Sequence, residues 1–583
     1  MATKIATRRI LLVDLLAIIA GIAGGLGAVL FRYIIKITQE LFFTDIYVVL
    51  DNSLPDLSLN PALILLPAIG GLIVGPLVAR VAPETRGHGV PEVMEAVLLR
   101  GGRIRARVAA VKVLVSSITI GSGGSAGREG PIAQIGASVG SLIGQIARLS
   151  PHDLRLLVAC GLSAGIAGTF NAPLGGAIFG LEILLRNVGP FDAIPVLFSS
   201  VIGAATASIF LGSRPSFEIP SVPQWSPIEI PVYILHGVIM GLIAVAWVKI
   251  FYTIEEFFSR LRIKLSLKPA IGGLFTGILL AMFPGYGIGG VGYEGVEMAL
   301  MGVLTSSLML ILGISKILAT SLTVGSGGSG GIFAPSLYIG SMFGGLLGRL
   351  YSDLFPSVAG DPLGYTLAGM ASLFAGAAQA PLNVIIMIPE MSRSYSLIPP
   401  IMASAGASFI VSWLLLRGSS IYTIKLEKRG VKVRMLTSYI LESVVAEEVM
   451  TRRFTTIPPE APLAALETIF DETLQGDYII VDRRKGELIG IVTRKDIENI
   501  KKQRPKDYTR IKAIEIAKRD IEVAYPDETI KEVLDKMKRS NQTTIPVVKR
   551  EDRNKLVGII TMRDILRAYE LALEKEEKGI ETS

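Results

Sequence analysis

Largely apolar runs recur along the first 416 residues: Ile10–Phe31, Pro61–Ala79, Val108–Ile120, Pro195–Leu211, Ile230–Ile250, Leu308–Val324 and Leu397–Leu416. Several reach the length of about 20 residues that spans the hydrocarbon of a bilayer. Nothing else in the sequence restricts the fold as strongly. The composition agrees: half of the 583 residues are hydrophobic and the mean hydropathy is +0.53. The chain reads as a polytopic membrane protein.

After about Lys425 the texture changes. Charges become dense and no spanning run follows, as in a soluble tail of ordinary domain size. The net charge of +8 does not point to nucleic acid, since Lys and Arg gather on cytoplasmic loops and ends of membrane proteins. Arg8 and Arg9 before the first run favour a cytoplasmic N-terminus. The run is long, and no small-residue cleavage site marks it as a signal peptide. The single Cys160 excludes an intrachain disulfide and a cysteine metal cluster.

The membrane part is duplicated. KVLVSSITIGSGGSAGREGP (Lys112–Pro131) aligns without gaps with KILATSLTVGSGGSGGIFAP (Lys316–Pro335), identical at eleven of twenty positions. AGTFNAPLGGAIFGLE (Ala167–Glu182) aligns with AGAAQAPLNVIIMIPE (Ala375–Glu390), each with a glutamate nine residues after its proline. Repeated halves with Gly/Pro-interrupted apolar segments are the sequence pointer to a transport site between broken helices. Irregular backbone at that depth is tolerated only where protein or a water-filled path covers it. A GSGGS loop leaves N–H groups free at a helix start, and with the helix dipole these bind anions. The plainer alternative is that small residues let helices pack closely. The duplication, with Pro at the helix start both times, favours the anion site. No Gly-Lys-Ser/Thr follows, which excludes a nucleotide P-loop.

These residues resemble the CLC family of chloride channels and chloride/proton exchangers. GREGP (Gly127–Pro131) matches its gating motif, GIFAP (Gly331–Pro335) its second filter motif, and GHGVPEV (Gly87–Val93) its first. Tyr422 in SSIYTIK stands at the filter tyrosine. The resemblance implies an all-α polytopic membrane domain with two inverted repeats and broken helices. It also implies a homodimer with one pathway per subunit for chloride, other halides or nitrate, and protons in its exchangers. Carried over, Gly87, His88, Arg128, Glu129, Ile332, Phe333, Ala334 and Tyr422 are the anion-binding set. The amides of Ile332 and Phe333 and the Tyr422 hydroxyl would hold a central anion, and amides near Arg128 and Glu129 an outer one. Glu129 would be the gate: deprotonated it occupies the outer site, protonated it leaves and chloride replaces it. A salt bridge with Arg128 is the alternative, disfavoured because helix neighbours do not face each other.

Two positions depart from the family pattern. His88 stands where Ser is common; its imidazole could donate to the anion, or point aside and leave the backbone amides at Gly87–Gly89 to bind. Ile183 stands where exchangers often carry a second, proton-relaying glutamate, which favours a passive channel. The exchanger, with another proton route, is the alternative. Glu182 is read as structural because Glu390 echoes it.

The tail repeats as well. GELIGIVTRKDI (Gly486–Ile497) matches NKLVGIITMRDI (Asn554–Ile565), offset by 68. Each follows a strand-like run, YIIVD or IPVVK, and a helical pattern, APLAALETIF or ETIKEVLDKM. This resembles a cytoplasmic α/β pair of CBS domains. Such pairs that take ATP, ADP or AMP would use Thr493, Asp496, Thr561 and Asp564; the alternative is that these residues cap the following helices.

The expected limits are a membrane domain over 1–425 with halves at about 10–215 and 228–420. A linker at 426–443, CBS domains at 444–502 and 510–573, and a solvated end at 574–583 follow. A divalent-cation transporter would need membrane acidic clusters, which the runs do not supply. An intramembrane serine hydrolase would need a Ser/His pair, and His88, His152 and His236 mark none. The expectation is a cell-membrane transporter, not an enzyme, with no required cofactor or metal and with its N-terminus and tail cytoplasmic.

Overall fold

Polar caps and prolines set many of the helix starts. Asn60 accepts from Ala62 N ahead of Pro61, Ser150 from Asp153 N ahead of Pro151, and Asp361 from Leu363 N ahead of Pro362. Each cap satisfies an N–H that the helix leaves free, and Pro at the first position has none to satisfy. The computed structural model describes residues 2–55, 57–186, 190–430, 444–452, 454–466, 477–482, 487–503, 510–540 and 542–567, without side chains for 2–10, 190 and 191. It divides into two compact units, Met1–Val433 and Arg434–Ser583.

The first unit is helical. Its first half contains α1 (Ala2–Glu40), α2 (Tyr47–Ser53), α3 (Pro61–Arg80), α4 (Val90–Leu99), α5 (Arg107–Gly121), α6 (Glu129–Ile146), α7 (Pro151–Phe170), α8 (Pro173–Phe179) and α9 (Pro190–Leu211). Its second half contains α10 (Ile230–Arg260), α11 (Lys268–Met282), α12 (Tyr293–Leu300), α13 (Ser306–Gly325), α14 (Phe333–Leu354), α15 (Pro362–Ala378), α16 (Pro381–Ser392) and α17 (Ile398–Leu415), and α18 (Thr423–Lys428) follows. Among the described residues, seven helices are long and apolar enough to cross a membrane.

The duplication holds in three dimensions. α6 packs on α7 as α14 packs on α15, and α1 packs on α7 and α9 as α10 packs on α15 and α17. α3 packs on its own counterpart α11, and α8 on α16, as a twofold relation between inverted halves requires. Small residues set the spacing in both copies. Gly136 faces the backbone of Gly161, and its counterpart Gly340 faces Gly369, where a Cβ would come within 2.6 Å of the carbonyl oxygen.

Two expectations about the runs change. Val108–Ile120 becomes α5, only 15 residues long. α7 is spanning-length but was not among the runs, because its Gly, Ala and Ser content lowers its mean hydropathy to 1.3, against 2.2 in the first span. Almost all of α7 is buried against its neighbours, so it has no lipid face to advertise. α18 continues to Lys428, into the stretch read as linker, because Leu426 packs in the core. Residues 431–443 and the expected solvated end lie outside the described residues.

The two halves also cap each other. Glu182 accepts from the N–H groups of Leu382 (3.0 Å) and Asn383 (2.6 Å) at the start of α16. Glu390 accepts from Leu174 (3.1 Å) and Gly175 (2.7 Å) at the start of α8. Each carboxylate takes two helix-start donors and meets the positive end of the helix dipole.

The second unit holds, among the described residues, a five-stranded sheet in the order β1-β2-β3-β5-β4. Its strands are β1 (Thr456–Ile457), β2 (Asp477–Asp482), β3 (Glu487–Thr493), β4 (Thr544–Lys549) and β5 (Asp552–Thr561). Two antiparallel hairpins repeat: Ile480 pairs with Gly490 and Val547 with Gly558, each beside a bulge.

Replacing Glu390 with Ala strips both acceptors from the start of α8. Thermal unfolding of purified protein should show a loss of about 2 kcal/mol, as for hydrogen bonds to a charged group. Glu182→Ala should cost about the same at α16, and Glu390→Gln less.

Candidate functional site

The two glycine loops meet back to back. Gly127 N donates to Gly331 O at 2.8 Å, and Gly331 N donates to Gly127 O at 2.6 Å. Around this pair the halves exchange side-chain bonds. Ser125 N donates to Thr323 Oγ1 at 3.0 Å, and Ser329 N to Thr119 Oγ1 at 3.3 Å. Ser125 pairs with Thr320 and Ser329 with Ser116 through their hydroxyls. The first-motif loop joins the same cluster: Gly87 N donates to Gly328 O at 3.0 Å, and Gly330 N to Gly87 O at 3.3 Å. The loops have no regular ladder, and partners from the other half take the place of one.

This cross-link brings the starts of α6 and α14 together. Glu129, the first residue of α6, is 1% exposed. Its Oε2 accepts from Ala334 N at 3.3 Å, at the start of α14, while Oε1 is buried without a partner. Arg128 makes no ion pair with it; the guanidinium lies over the Tyr293 ring, 5.1 Å from the centroid. Arg128 and Tyr293 line a cavity of about 310 Å³ together with Arg32, Glu218 and Glu297. The N–H groups of Ile332 and Phe333 find no acceptor among the described residues.

His88 and Tyr422 come together from opposite ends of the helical unit. Their ring centroids are 5.7 Å apart, and His88 also meets Phe251 at 5.8 Å. His88 is 1% exposed, and both ring nitrogens are buried without partners. Phe374 links Tyr422 (6.3 Å) to Phe333 (4.6 Å), and Phe333 continues to Phe170 (5.3 Å). The free amides at the start of α14 are thus collared by aromatic rings. Tyr422 precedes α18, which is pinned to α4 by an ion pair between Lys425 and Glu92 at 2.7 Å, both side chains nearly buried.

In the second unit, Thr493 N and Oγ1 both donate to Asp496 Oδ2 (3.1 and 2.7 Å), and Asp496 N returns a bond to Thr493 Oγ1. Thr561 and Asp564 repeat the arrangement at 2.8 and 2.6 Å. These are capping geometries. Asp496 is also ion-paired with Lys518 at 3.0 Å. Burial pushes its pKa up, but the Thr493 and Lys518 bonds outweigh burial and hold the carboxyl below the usual range.

The family model for voltage gated chloride channels matches residues 70–413 of this chain, and that for CBS domains matches 445–500 and 513–571. The chain belongs to the voltage gated chloride channel (CLC) family. A putative chloride channel protein, ClcB-like, from Ralstonia nicotianae is 32% identical over 60% of this chain and 82% of that protein. The H(+)/Cl(−) exchange transporter ClcA of Yersinia pseudotuberculosis is 31% identical over 75% and 92%. The structure of a slow cyanobacterial Cl−/H+ antiporter superposes with a TM-score of 0.66, 25% identity, 72% of this chain and 98% of that one. A eukaryotic CLC transporter, 18% identical, shares the fold over 95% of this chain and 97% of that one with a TM-score of 0.58.

Within this CLC fold, Ile183 is 3% exposed in the apolar core. Sequence reasoning missed two groups at the site. One is the aromatic collar, since Phe170 and Phe374 belong to no motif. The other is a pair of buried lysines, Lys112 and Lys316, which open the two aligned repeat segments and were legible there as an identical position.

Proposed function

We propose that this chain carries chloride and similar small anions across the membrane along a pathway at the starts of α6 and α14, with Glu129 as its gate. The observation that carries this reading is the buried Glu129 carboxylate accepting from Ala334 N at the start of α14. A carboxylate is an anion, and the donors that hold it are the kind that hold chloride. Deprotonated Glu129 therefore blocks; protonation removes its charge and leaves the donors to chloride. The amides of Ile332 and Phe333, with the Tyr422 hydroxyl, hold a central anion. His88 faces Tyr422 with both nitrogens unpartnered, which supports a direct contact from the imidazole. Gly87 shapes the first-motif loop beside it, and Arg128 attracts anions at the outer end. The working unit is a homodimer in the cell membrane with N-terminus and tail cytoplasmic.

Ile183 favours a passive channel. The exchanger reading rests on the likeness to proteins named as H(+)/Cl(−) exchangers. Proton uptake into proteoliposomes under a chloride gradient separates the two. In Glu129→Gln, a permanently neutral gate, anion flux should lose most of its pH dependence and any proton coupling. A mutant that keeps the wild-type pH profile would place the gate elsewhere.

His88→Ser should change the chloride/nitrate preference, read as a shift in reversal potential under mixed-anion gradients. An unchanged preference would assign binding to the backbone amides.

The CBS pair is proposed to bind ATP, ADP or AMP and to bias transport. Its Thr/Asp pairs are already engaged as caps, so a nucleotide must share or displace those bonds. A ligand shifts transport only by its differential affinity for two states. Calorimetry on the full chain should show binding that weakens in Asp564→Ala and Asp496→Ala, with flux responding to nucleotide in the wild type. No heat at millimolar nucleotide would remove the regulatory role.

A further inference from the structure

Lys112 and Lys316 are fully buried, and neither forms an ion pair among the described residues. A buried ammonium without a counter-charge is costly unless its hydrogen bonds and surroundings compensate. Both lysines use their donors in one way. Lys112 Nζ donates to Thr85 O and Gly87 O, each at 3.0 Å. Lys316 Nζ donates to Gly287 O at 2.8 Å, Ile288 O at 3.1 Å and Gly290 O at 3.5 Å.

The two loops so held are counterparts, although the sequence alignment did not reach them. Gly87 and Gly89 precede α4 with φ of 79° and 86°; Gly290 and Gly292 precede α12 with φ of 59° and 92°. Each loop also receives a bond from a GSGGS-type loop: Gly330 N donates to Gly87 O, and Ala126 N donates to Gly290 O at 3.1 Å. The C=O and N–H of a planar trans peptide point in opposite directions. Gathering carbonyls around an ammonium therefore turns the neighbouring N–H groups the other way. The N–H of His88, which shares its peptide with Gly87 O, and that of Gly289, which shares its peptide with Ile288 O, find no acceptor among the described residues.

We propose that Lys112 and Lys316 are positioning residues of the anion pathway: each averts the carbonyl oxygens of a filter loop, so that the loop presents N–H groups to the anion. This rests on the anion-transport reading above. A cation filter presents carbonyls; an anion pathway through backbone needs the opposite polarity, and here one buried lysine per half enforces it. No carboxylate among the described residues closes to ion-pair distance on either ammonium; Glu92 acts on Lys112, and Glu294 and Glu129 on Lys316, from further off.

The test uses purified full-length protein. Chloride affinity is measured by calorimetry, and the chloride/nitrate permeability ratio by reversal potentials in proteoliposomes. Lys112→Met and Lys316→Met should each weaken chloride binding at least tenfold and shift the ratio in protein that remains folded by size-exclusion chromatography. Folded variants with wild-type affinity and ratio would reduce both lysines to packing and overturn the proposal. Should the Met variants not fold, Ser329→Ala decides. It leaves both ammonium groups but removes the second donor to Thr85 O, at 2.7 Å, and should weaken chloride binding about threefold; wild-type affinity there overturns the proposal. A wild-type protein that neither binds nor passes chloride would instead overturn the anion-transport reading.

Discussion

The paired backbone bonds between Gly127 and Gly331 hold the functional centre together. They join two loops that interrupt apolar helices in a unit built to cross lipid. Unsatisfied backbone in such surroundings costs several kcal/mol per group. Regular secondary structure does not satisfy these loops, and the N–H groups of Ile332 and Phe333 find no acceptor among the described residues. Each half therefore supplies partners to the other, the hydroxyls of Thr119 and Thr323 for the amides of Ser329 and Ser125, while Lys112 and Lys316 serve loop carbonyls within their own halves. Glycine is required where the loops approach most closely. At Gly130 an added Cβ would run into the His88 carbonyl, and at Gly331 it would come within 2.7 Å of the Gly130 backbone nitrogen.

Four helix starts converge within the unit, and they are used in two ways. Those of α8 and α16 are closed by Glu390 and Glu182, each carboxylate fully engaged by two amides. Those of α6 and α14 are not closed in this way. Glu129 Oε2 accepts from Ala334 N at 3.3 Å, its carboxyl also meets the backbone of Arg128 and of Glu129 itself, and Oε1 has no partner among the described residues. The aromatic rings of Phe333, Phe374, Tyr422 and His88 lower the local dielectric and strengthen whatever charge interaction the amides make.

Much of this was legible in the sequence because the chain repeats itself. Aligning Lys112–Pro131 with Lys316–Pro335 placed both glycine loops, and the echo of Glu182 in Glu390 led to a structural role, which the reciprocal caps show. The Thr493/Asp496 and Thr561/Asp564 pairs were read with capping as the alternative to ligand binding, and the caps are present. What escaped had physical causes. α7 is packed by small residues, so hydropathy did not flag it. The loop before α12 shares only glycine spacing with the loop before α4, since backbone conformation rather than side chain is repeated there. The His88–Tyr422 contact joins residues at the two ends of the helical unit, and no local pattern records it.

The reciprocal caps also bear on how the chain is made. The start of α8 waits for Glu390, and the start of α16 is closed by a glutamate made some two hundred residues earlier. At synthesis rates of about 5–20 residues per second, the first half is exposed for roughly 10–40 s before its missing acceptor is made. During that interval the amides of Leu174 and Gly175, and those of the first glycine loop, must be shielded by something other than the finished fold. Assembly of the two halves is therefore a late, concerted event, and the second half acts on the first as a built-in folding template.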